Sequence, residues 1–220
     1  MGKTKDIRDN GDGTVRFVFK DDVCTDENGK FDPGANKTGL KIDGMGRAAM
    51  MLSQHFFPIL EKECIPTHFN CVDAEAGTMN CDQLEMIPLE FVWRDKAWGS
   101  FCKMYGVKQG LPLGSIIEMM LKSDELGDPR INFDAANAIS LITRYIYEGC
   151  VDITRQIGII LRRELFKYDY ELIDFKVEFG FDIRGQLKLA DEISGGIWRI
   201  LDKNGNTVDP VVAAKKICGY

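Results

Sequence analysis

Within residues 172–180, apolar and charged side chains alternate strictly from Ile173 to Phe179, and this pattern constrains the fold more than any other in the chain. One set of alternate positions is apolar: Ile173, Phe175, Val177 and Phe179. The set between them is charged: Asp174, Lys176 and Glu178. Because successive side chains of a β-strand point to opposite faces, the segment is predicted to be a strand with one apolar and one charged face. A turn bracketed by Gly180 and Gly185 and a second strand over residues 186–190 complete a hairpin that ends at Asp191-Glu192.

The charged face of this hairpin has two interpretations. It is the solvated face of an antiparallel sheet with weak charge pairing, which is the usual meaning of such a row. Alternatively, it lines a cleft in which carboxylates from neighbouring strands form a hard oxygen site for Mg²⁺, an ion that also prefers phosphates as ligands. The spacing alone leaves both open and favours the solvated face.

The first third of the chain is expected to be β-rich. Residues 15–19 alternate as a strand after the turn-forming residues 10–13. Residues 26–46 are rich in Gly, Asp and Asn and are expected to form a long loop. Short strands are expected near residues 67–72 and 78–81, with another near 88–94.

Two segments have the composition and spacing of helices. Residues 46–63 are predicted to be helical, with Pro58 kinking or splitting the helix. Apolar residues spaced by three and four predict a second helix over residues 139–166, which packs one stripe against a sheet.

Composition excludes several classes of protein. A net charge of −6, from 28 Lys+Arg and 34 Asp+Glu, argues against a protein that coats nucleic acid. The chain has seven cysteines, none of them in a CxxC pair, and only two histidines, so a zinc site is not expected. A disulfide framework is not expected either, because the number of cysteines is odd. No apolar run approaches the roughly 18–20 residues of a membrane span, and no signal peptide is recognised, so we expect a cytoplasmic protein.

Three further segments carry residues suited to anionic ligands, and each also has an ordinary structural interpretation. Gly2-Lys3-Thr4-Lys5 places two ammonium groups on one face of an expected strand, but a frayed basic terminus is commoner. Residues 94–100 combine Arg, Ser and Gly after a strand, which suits phosphate but also a polar loop. Residues 122–129 have the composition of a polar turn. Structural roles are expected for His55 and His68.

The order and spacing of these pieces resemble the SAICAR synthetase family. Eight segments carry the resemblance over nearly the whole chain: Gly2-Lys3-Thr4-Lys5, Phe19-Lys20-Asp21-Asp22, Ile65-Pro66-Thr67-His68, Ile87-Pro88-Leu89-Glu90, residues 94–100, residues 122–129, residues 174–180, and Ala190-Asp191-Glu192-Ile193-Ser194 with Arg199. Each segment is weak alone, whereas eight in the family's order are specific. Residues 31–36 and Ser194-Gly195-Gly196 resemble a subgroup variant of the family.

The resemblance implies a fold and an activity. The fold is α+β with two lobes, a β-rich N-terminal lobe over residues 1–86 and a larger mixed lobe over residues 87–220, with ATP in the cleft between them. The activity is that of an ATP-dependent ligase of purine synthesis. It joins L-aspartate to the carboxylate of carboxyaminoimidazole ribonucleotide (CAIR), with ADP and phosphate released. Such phosphoryl chemistry relies on positioning and charge, and it agrees with the absence of a recognisable nucleophile.

The resemblance also implies residue roles. Residues for ATP are Lys3, Thr4, Lys5, Asn80, Cys81, Met86, Glu178 and Asp191. Residues for CAIR are Arg94, Ser100, Asp174, Lys176 and Arg199, of which Arg94, Ser100 and Arg199 hold the ribose 5′-phosphate. Mg²⁺ is assigned to Glu178 and Asp191, and the reacting end to Lys122, Asp128 and Lys176.

The implied partners are the small molecules CAIR and L-aspartate, with no nucleic acid and no membrane, and a homo-oligomer, preferably a dimer, is expected. The chain has Gly44-Met45-Gly46 where the family usually has Gly-Lys-Gly, and Ser194-Gly195-Gly196 where it usually has Ser-Pro-Asp. The second departure motivates an alternative, a paralogous ligase that amidates another azole carboxylate. A nucleotide-binding protein without catalysis is the other alternative, disfavoured because Lys3, Lys5, Glu178 and Asp191 are all present.

Overall fold

The structure is a computed structural model that describes residues 2–35 and 37–220. The chain forms two compact units. The first unit comprises Met1–Glu85, Gly180–Ile197 and Asp209–Tyr220, and the second comprises Met86–Phe179 and Trp198–Val208. The division into lobes at residue 86 stays a prediction; two later segments of the chain also belong to the first unit.

Within the described residues the chain forms eleven strands and five α-helices. The elements up to residue 96 are β1 (Lys5–Asp9), β2 (Thr14–Phe19), β3 (Asp22–Thr25), β4 (Lys37–Lys41), α1 (Met45–Lys62), β5 (Phe69–Asp73), β6 (Thr78–Asp82) and β7 (Glu85–Lys96). The later elements are α2 (Ser100–Tyr105), β8 (Pro112–Leu121), α3 (Phe133–Ala138), α4 (Arg144–Phe166), β9 (Glu171–Phe181), β10 (Leu187–Ala190), β11 (Trp198–Leu201) and α5 (Pro210–Cys218). The expected α+β class is confirmed. No helix of this set is both long enough and apolar enough to cross a membrane.

The sheet of the first unit has the strand order β1-β2-β6-β5, and neighbouring strands are antiparallel. β1 and β2 form the hairpin predicted from the turn residues 10–13, with Lys5 paired to Phe19 at its open end. Lys3 precedes the strand, which begins at Lys5, so the prediction that both lysines lie on one strand is wrong for Lys3.

The expected long loop over residues 26–46 is interrupted by β4, which pairs with β3 as a two-stranded ribbon. All five residues of β4 are exposed, so the strand buries no alternate positions and leaves no period-two signal in the sequence. The loop prediction is therefore wrong for residues 37–41, and Asn36 lies outside the described residues.

Helix α1 is packed against α5 in the first unit. Pro58 lies inside α1 without splitting it. The glycine at 46 is explained by packing, because a Cβ at Gly46 would lie 3.1 Å from the backbone of Lys20. The segment Gly44-Met45-Gly46 differs from the usual Gly-Lys-Gly at its middle residue. It keeps glycine at 46, where the backbone of Lys20 between β2 and β3 lies close to α1.

In the second unit β9 lies between β7 and β11, and β8 pairs with the other edge of β7. The alternation predicted for β9 is confirmed: its apolar positions are buried, and Phe175 stacks on Trp93 of β7 with 5.4 Å between ring centroids. Helix α4 packs against β8 and against Trp93 of β7. A Cβ at Gly158 of α4 would lie 2.7 Å from Nε1 of Trp93, so this glycine permits the close approach.

Helix α4 begins later than expected. The side chain of Thr143 caps its N-terminus by accepting a hydrogen bond from the backbone N–H of Ile146. Upstream, Ser140 has φ 61°, a left-handed conformation that a continuous helix does not allow. The predicted start at residue 139 is therefore wrong, whereas the end at residue 166 is confirmed.

Candidate functional site

In the first unit a buried lysine is held between two carboxylates. Lys5, the first residue of β1, places Nζ 2.5 Å from Oδ1 of Asp191 and 2.7 Å from Oε1 of Glu192. Burial alone would lower the pKa of Lys5, but the charges of Asp191 and Glu192 outweigh it and hold the pKa above its ordinary value. Lys5 therefore stays an ammonium group throughout the physiological range.

The carboxylate side of this pair is built by the chain just after β10. Asp191 has φ 66°, a left-handed conformation that Asp tolerates better than most residues. The ring of His68 lies under the turn, with Nε2 2.8 Å from the carbonyl oxygen of Asp191. Because a carbonyl oxygen only accepts, Nε2 carries the proton and donates it. Burial lowers the pKa of His68 to about 4, so the imidazole is neutral near pH 7.

The loop that follows is fixed by its own hydrogen bonds and by α5. The hydroxyl of Ser194 donates to Oε2 of Glu192 and accepts the backbone N–H of Gly196 at 2.9 Å. A Cβ at Gly195 would lie 2.4 Å from Cβ of Pro210. Glycine at 195 therefore has a packing cause, the proximity of the first residue of α5.

The charged face of β9 in the second unit is neither solvated nor unpaired. Asp174 is 2% exposed and Glu178 is 4% exposed, so the favoured interpretation of a solvated face is wrong for both carboxylates. Glu178 forms an ion pair with Lys122, and Nζ of Lys176 lies 2.7 Å from Oε1 of Glu90 on β7. Sequence spacing cannot show this, because burial of the polar face depends on distant segments.

One end of this face is an arginine cluster with Asp174 at its centre. Oδ2 of Asp174 lies 2.6 Å from Nη1 of Arg94 and 2.7 Å from Nη1 of Arg199. Nε of Arg94 also lies 2.7 Å from Oε2 of Glu118, and Oε1 of Glu118 lies 2.7 Å from Nη1 of Arg130. Three guanidinium groups face two carboxylates, so this cluster carries a net charge of +1 when all five groups are ionised.

Sequence reasoning missed Glu118 and Arg130. Glu118 lies within the largely apolar strand β8, and Arg130 follows the polar turn 122–129. Only the pairing of Arg94 on β7 with Ile116 on β8 brings Glu118 near that arginine. Ser100, assigned to the same group, is exposed at the first residue of α2.

The other candidate residues fall into separate places. Asp128, with φ 50°, closes the turn after β8 by accepting the backbone N–H of Ser123 at 2.7 Å. On β6, which pairs with β2 and β5, Cys81 is fully buried, and Asn80 accepts a hydrogen bond from Arg16. Met86, at 44% exposure, lies on β7.

A pocket with an empty volume of about 330 Å³ lies in the first unit beside the Lys5 pair. Thr4, Lys20, Glu192 and Gly196 contribute its polar wall, and apolar residues that include Phe31 and Met45 contribute the rest. Thr4 is thus the one assigned ATP residue that borders this pocket among the described residues.

The proposed magnesium ligands lie in different units, Asp191 in the first and Glu178 in the second. Among the described residues no group of three or more His, Cys, Asp or Glu side chains could hold a metal ion without other ligands. Mg²⁺ does not require such a group, since it is commonly bound through one or two carboxylates together with substrate phosphates and waters. Each candidate offers carboxylate oxygens that a lysine now neutralises, and this donor set fits Mg²⁺.

The sequence of this chain is similar to proteins of one known family. Residues 1–214 match the model of the SAICAR synthetase family. The chain is 42% identical over 221 residues to a phosphoribosylaminoimidazole-succinocarboxamide synthase of Clostridium tetani, with 98% of this chain and 96% of that protein covered. A protein of the same name from Streptococcus pyogenes serotype M3 is 36% identical over 210 residues, with 94% and 86% covered.

Solved structures give the same likeness. A SAICAR synthetase (Type-2) in complex with ADP superposes with a TM-score of 0.88 at 32% identity, covering 100% of this chain and 97% of that chain. The phosphoribosylaminoimidazole-succinocarboxamide synthase of Ehrlichia chaffeensis superposes with a TM-score of 0.89 at 26% identity, covering 100% and 95%.

We expect Lys5→Met to lower the free energy of unfolding by about 3–5 kcal/mol at pH 7, because it leaves two carboxylates without their buried cation. Wild-type stability from Lys5 should persist at every pH below the ordinary lysine pKa of about 10.4, since its folded pKa is raised. Urea unfolding followed by circular dichroism between pH 4 and 8 measures the loss and shows whether it persists across this range.

Lys188→Met is the matched control. Lys188 also lies between two carboxylates, 2.6 Å from Asp82 and 3.4 Å from Asp182, but the side chain of Asp82 is 34% exposed. Its loss should be clearly smaller than that of Lys5→Met. Equal losses in the two variants would contradict the importance of the buried charge.

Proposed function

The chain belongs to the SAICAR synthetase family, and from that premise we propose how its own residues carry out the reaction. The protein is an ATP-dependent ligase of purine biosynthesis that condenses L-aspartate with the carboxylate of CAIR to give SAICAR, ADP and phosphate. The observation that carries the residue-level proposal is that a lysine neutralises each of two carboxylates, Lys5 beside Asp191 and Lys122 beside Glu178. These contacts supply the cations and oxygen ligands that phosphoryl transfer needs. A folded core does not need such groups for its stability.

In the proposed reaction a carboxylate oxygen of CAIR attacks the γ-phosphorus of ATP, and the bond to the ADP oxygen breaks. The acyl phosphate that forms is attacked at its carbonyl carbon by the amine of aspartate, which loses a proton as phosphate leaves. Neither step needs a protein nucleophile, because positioning and charge stabilisation are the protein's contribution.

The nucleotide side is assigned to the first unit together with Met86. Lys3, Thr4 and Lys5 contact the triphosphate; their support is the position of Lys5 at the start of β1 and of Thr4 on the wall of the pocket. The adenine is assigned by the family resemblance to Asn80 and Cys81 on β6 and to Met86 of the second unit, whose side chain is exposed.

Glu178 and Asp191 are proposed to hold Mg²⁺. When bound, the ion neutralises charge on the transferred phosphoryl group. Each carboxylate is already held beside a lysine of its own unit, so each is a position where a cation stabilises negative charge on oxygen. Lys122 and Lys176 then provide positive charge near the reacting carboxylate, and Asp128 keeps the turn that presents Lys122 closed.

The nucleotide acid is assigned to the arginine cluster. Arg94, Ser100 and Arg199 hold the 5′-phosphate, and Asp174 with Lys176 faces the imidazole and its carboxylate. Support comes from the net charge of +1 in the cluster and from Arg199, whose guanidinium pairs with Asp174 on the same carboxylate oxygen as Arg94. A phosphate dianion suits a cluster with surplus positive charge and forked donors.

A steady-state assay tests the activity and the metal role together. Wild-type protein should release ADP only when CAIR, L-aspartate and Mg²⁺ are all present. Glu178→Gln should keep its fold, yet lower turnover by about 10-fold to 100-fold, because it removes one charge from the proposed metal site. ADP release with other azole carboxylates but not CAIR would indicate the paralogous ligase, and nucleotide binding without any turnover would indicate a non-catalytic protein.

Glu171→Gln is the control for this variant. Glu171 starts the same strand and pairs with Lys96 at 2.6 Å, but its side chain is 48% exposed. It should retain turnover near that of wild type. If Glu178→Gln were equally active, the assignment of Glu178 to the metal would be withdrawn. The hypothesis of a different azole substrate was motivated by the departure at Gly195. The proximity of Pro210 now explains that glycine by packing, so the hypothesis has less support.

We expect Arg199→Ala to raise the KM for CAIR by about 10-fold while the KM values for ATP and aspartate change little, since one charge-assisted hydrogen bond to phosphate is lost. Initial rates at varied CAIR measure the change. Arg155→Ala, which removes an exposed arginine of α4 that lies 3.4 Å from Asp152, is the control. A change confined to the KM for aspartate would reassign Arg199.

We also propose a cytoplasmic homodimer. All seven cysteines are free, which suits a reducing compartment. On α4, Tyr145, Ile159 and Phe166 are 83%, 67% and 78% exposed and are separated by multiples of seven residues, so they share one helix face. Sedimentation equilibrium should give a dimer that Ile159→Glu weakens and Ile183→Glu, at an exposed turn position, does not. A monomeric wild type would exclude the dimer.

A further inference from the structure

His68 is a buried polar residue that the residue roles above leave unused. It is 3% exposed, and it lies just before β5, beneath the turn that carries Asp191. We propose that His68 is a positioning residue of the nucleotide and metal site: its Nε2–H holds the carbonyl of Asp191 and thereby fixes the backbone from which Asp191 and Glu192 reach Lys5. This inference rests on the proposed role of Asp191, and it adds a residue to that site.

The ring of His68 contacts two aromatic rings of the first unit. Its centroid lies 5.5 Å from that of Phe17 and 5.8 Å from that of Phe57, with both rings tilted against it. Its own backbone is also fixed, because its N–H donates to Leu189 at 2.9 Å and its carbonyl accepts from Asp82 at 2.7 Å. The imidazole is therefore a rigid donor with one orientation.

His68 contacts the backbone of Asp191, which has an uncommon left-handed conformation. Asp191 leaves the extended conformation of β10 for a left-handed one within a single residue. This change of direction brings its side chain and that of Glu192 to the same ammonium group. A donor at 2.8 Å from the Asp191 carbonyl stabilises that orientation of the peptide group over others that the chain could adopt.

Lys5 and His68 therefore act on Asp191 at different atoms. Lys5 neutralises the carboxylate, whereas His68 contacts the main chain. Loss of Lys5 changes the charge of the site, and loss of His68 changes the position of a carboxylate that stays charged. The second effect is the one expected of a residue that acts through another.

Three substitutions of His68 separate the hydrogen bond from the bulk of the ring. In His68→Gln the amide nitrogen lies the same number of bonds from Cα as Nε2 of histidine, so the donor is retained. In His68→Asn the amide nitrogen corresponds to Nδ1 and falls short of the carbonyl. His68→Leu fills the space without a donor. Phe69→Leu is the matched control, because Phe69 is the next residue along the chain and stacks on Phe57 at 5.1 Å between ring centroids.

Two measurements are made on the full-length protein. Hydrogen exchange by mass spectrometry follows the backbone of residues 190–196 without any ligand. Titration with ADP in the presence of Mg²⁺, followed by calorimetry, reports the site. We expect His68→Asn and His68→Leu to speed exchange in that segment and to weaken ADP binding by about 10-fold or more, with His68→Gln within about threefold of wild type. Phe69→Leu should leave both measurements near wild type even if it lowers the melting temperature.

Each outcome decides one claim. Unchanged exchange in His68→Leu and His68→Asn overturns the positioning role, and so does a failure of His68→Gln to restore exchange when Phe69→Leu is normal. Faster exchange with unchanged ADP affinity also overturns it, because the turn would then not matter to the site. If wild-type protein itself did not bind ADP, the proposed nucleotide role would fail, and the exchange measurement would still decide whether His68 fixes the turn.

Discussion

The contact of one ammonium group with two carboxylates organises the first unit. Lys5 and Glu192 are 187 positions apart in the chain, and Nζ of Lys5 lies 2.7 Å from the glutamate oxygen. Such a group is costly to bury and is stable only when its partners are placed well and are themselves hydrogen-bonded. Ser194 satisfies Glu192, and His68 holds the main chain of Asp191, so the surroundings of the lysine are determined down to the backbone. Gly195 also contributes to the placement of this loop, because the absence of a side chain there lets Pro210 of α5 pack against it.

The same arrangement recurs in the second unit on a different scaffold. There the charged side chains stand on alternate positions of one strand, and each carboxylate of that face has a basic partner: Arg94 and Arg199 for Asp174, Lys122 for Glu178. Removing these carboxylates from water is tolerated because the opposite charges come with them. The arginine cluster keeps a surplus of one positive charge, which is what distinguishes it from a neutral structural network.

Local sequence predicted those parts whose cause is local. The alternation of β9, the hairpin of β1 and β2 and the end of α4 follow from period, turn residues and composition, and all are confirmed. β4 could not be predicted, because an exposed strand carries no apolar period. The burial of Asp174 and the presence of Arg130 beside Glu118 were also beyond reach, since they depend on pairings across tens of residues. Residue roles came from the resemblance to a family, and the fold agrees with it.

A net charge of −6 is compatible with a protein that handles phosphates because charge acts over short distances at ordinary ionic strength. What matters to a phosphate is the balance within a few ångströms, where Lys5, Lys122 and Arg199 already lie beside carboxylates. An arriving phosphate therefore does not meet free cations; it exchanges places with a carboxylate, and the displaced carboxylate needs a new cation. Mg²⁺ that arrives with ATP supplies one, so in the proposed site nucleotide and metal binding are linked by charge balance. A nucleotide without its metal would leave Asp191 or Glu178 unneutralised, and a metal without its nucleotide would compete with lysines that are held in place by the fold.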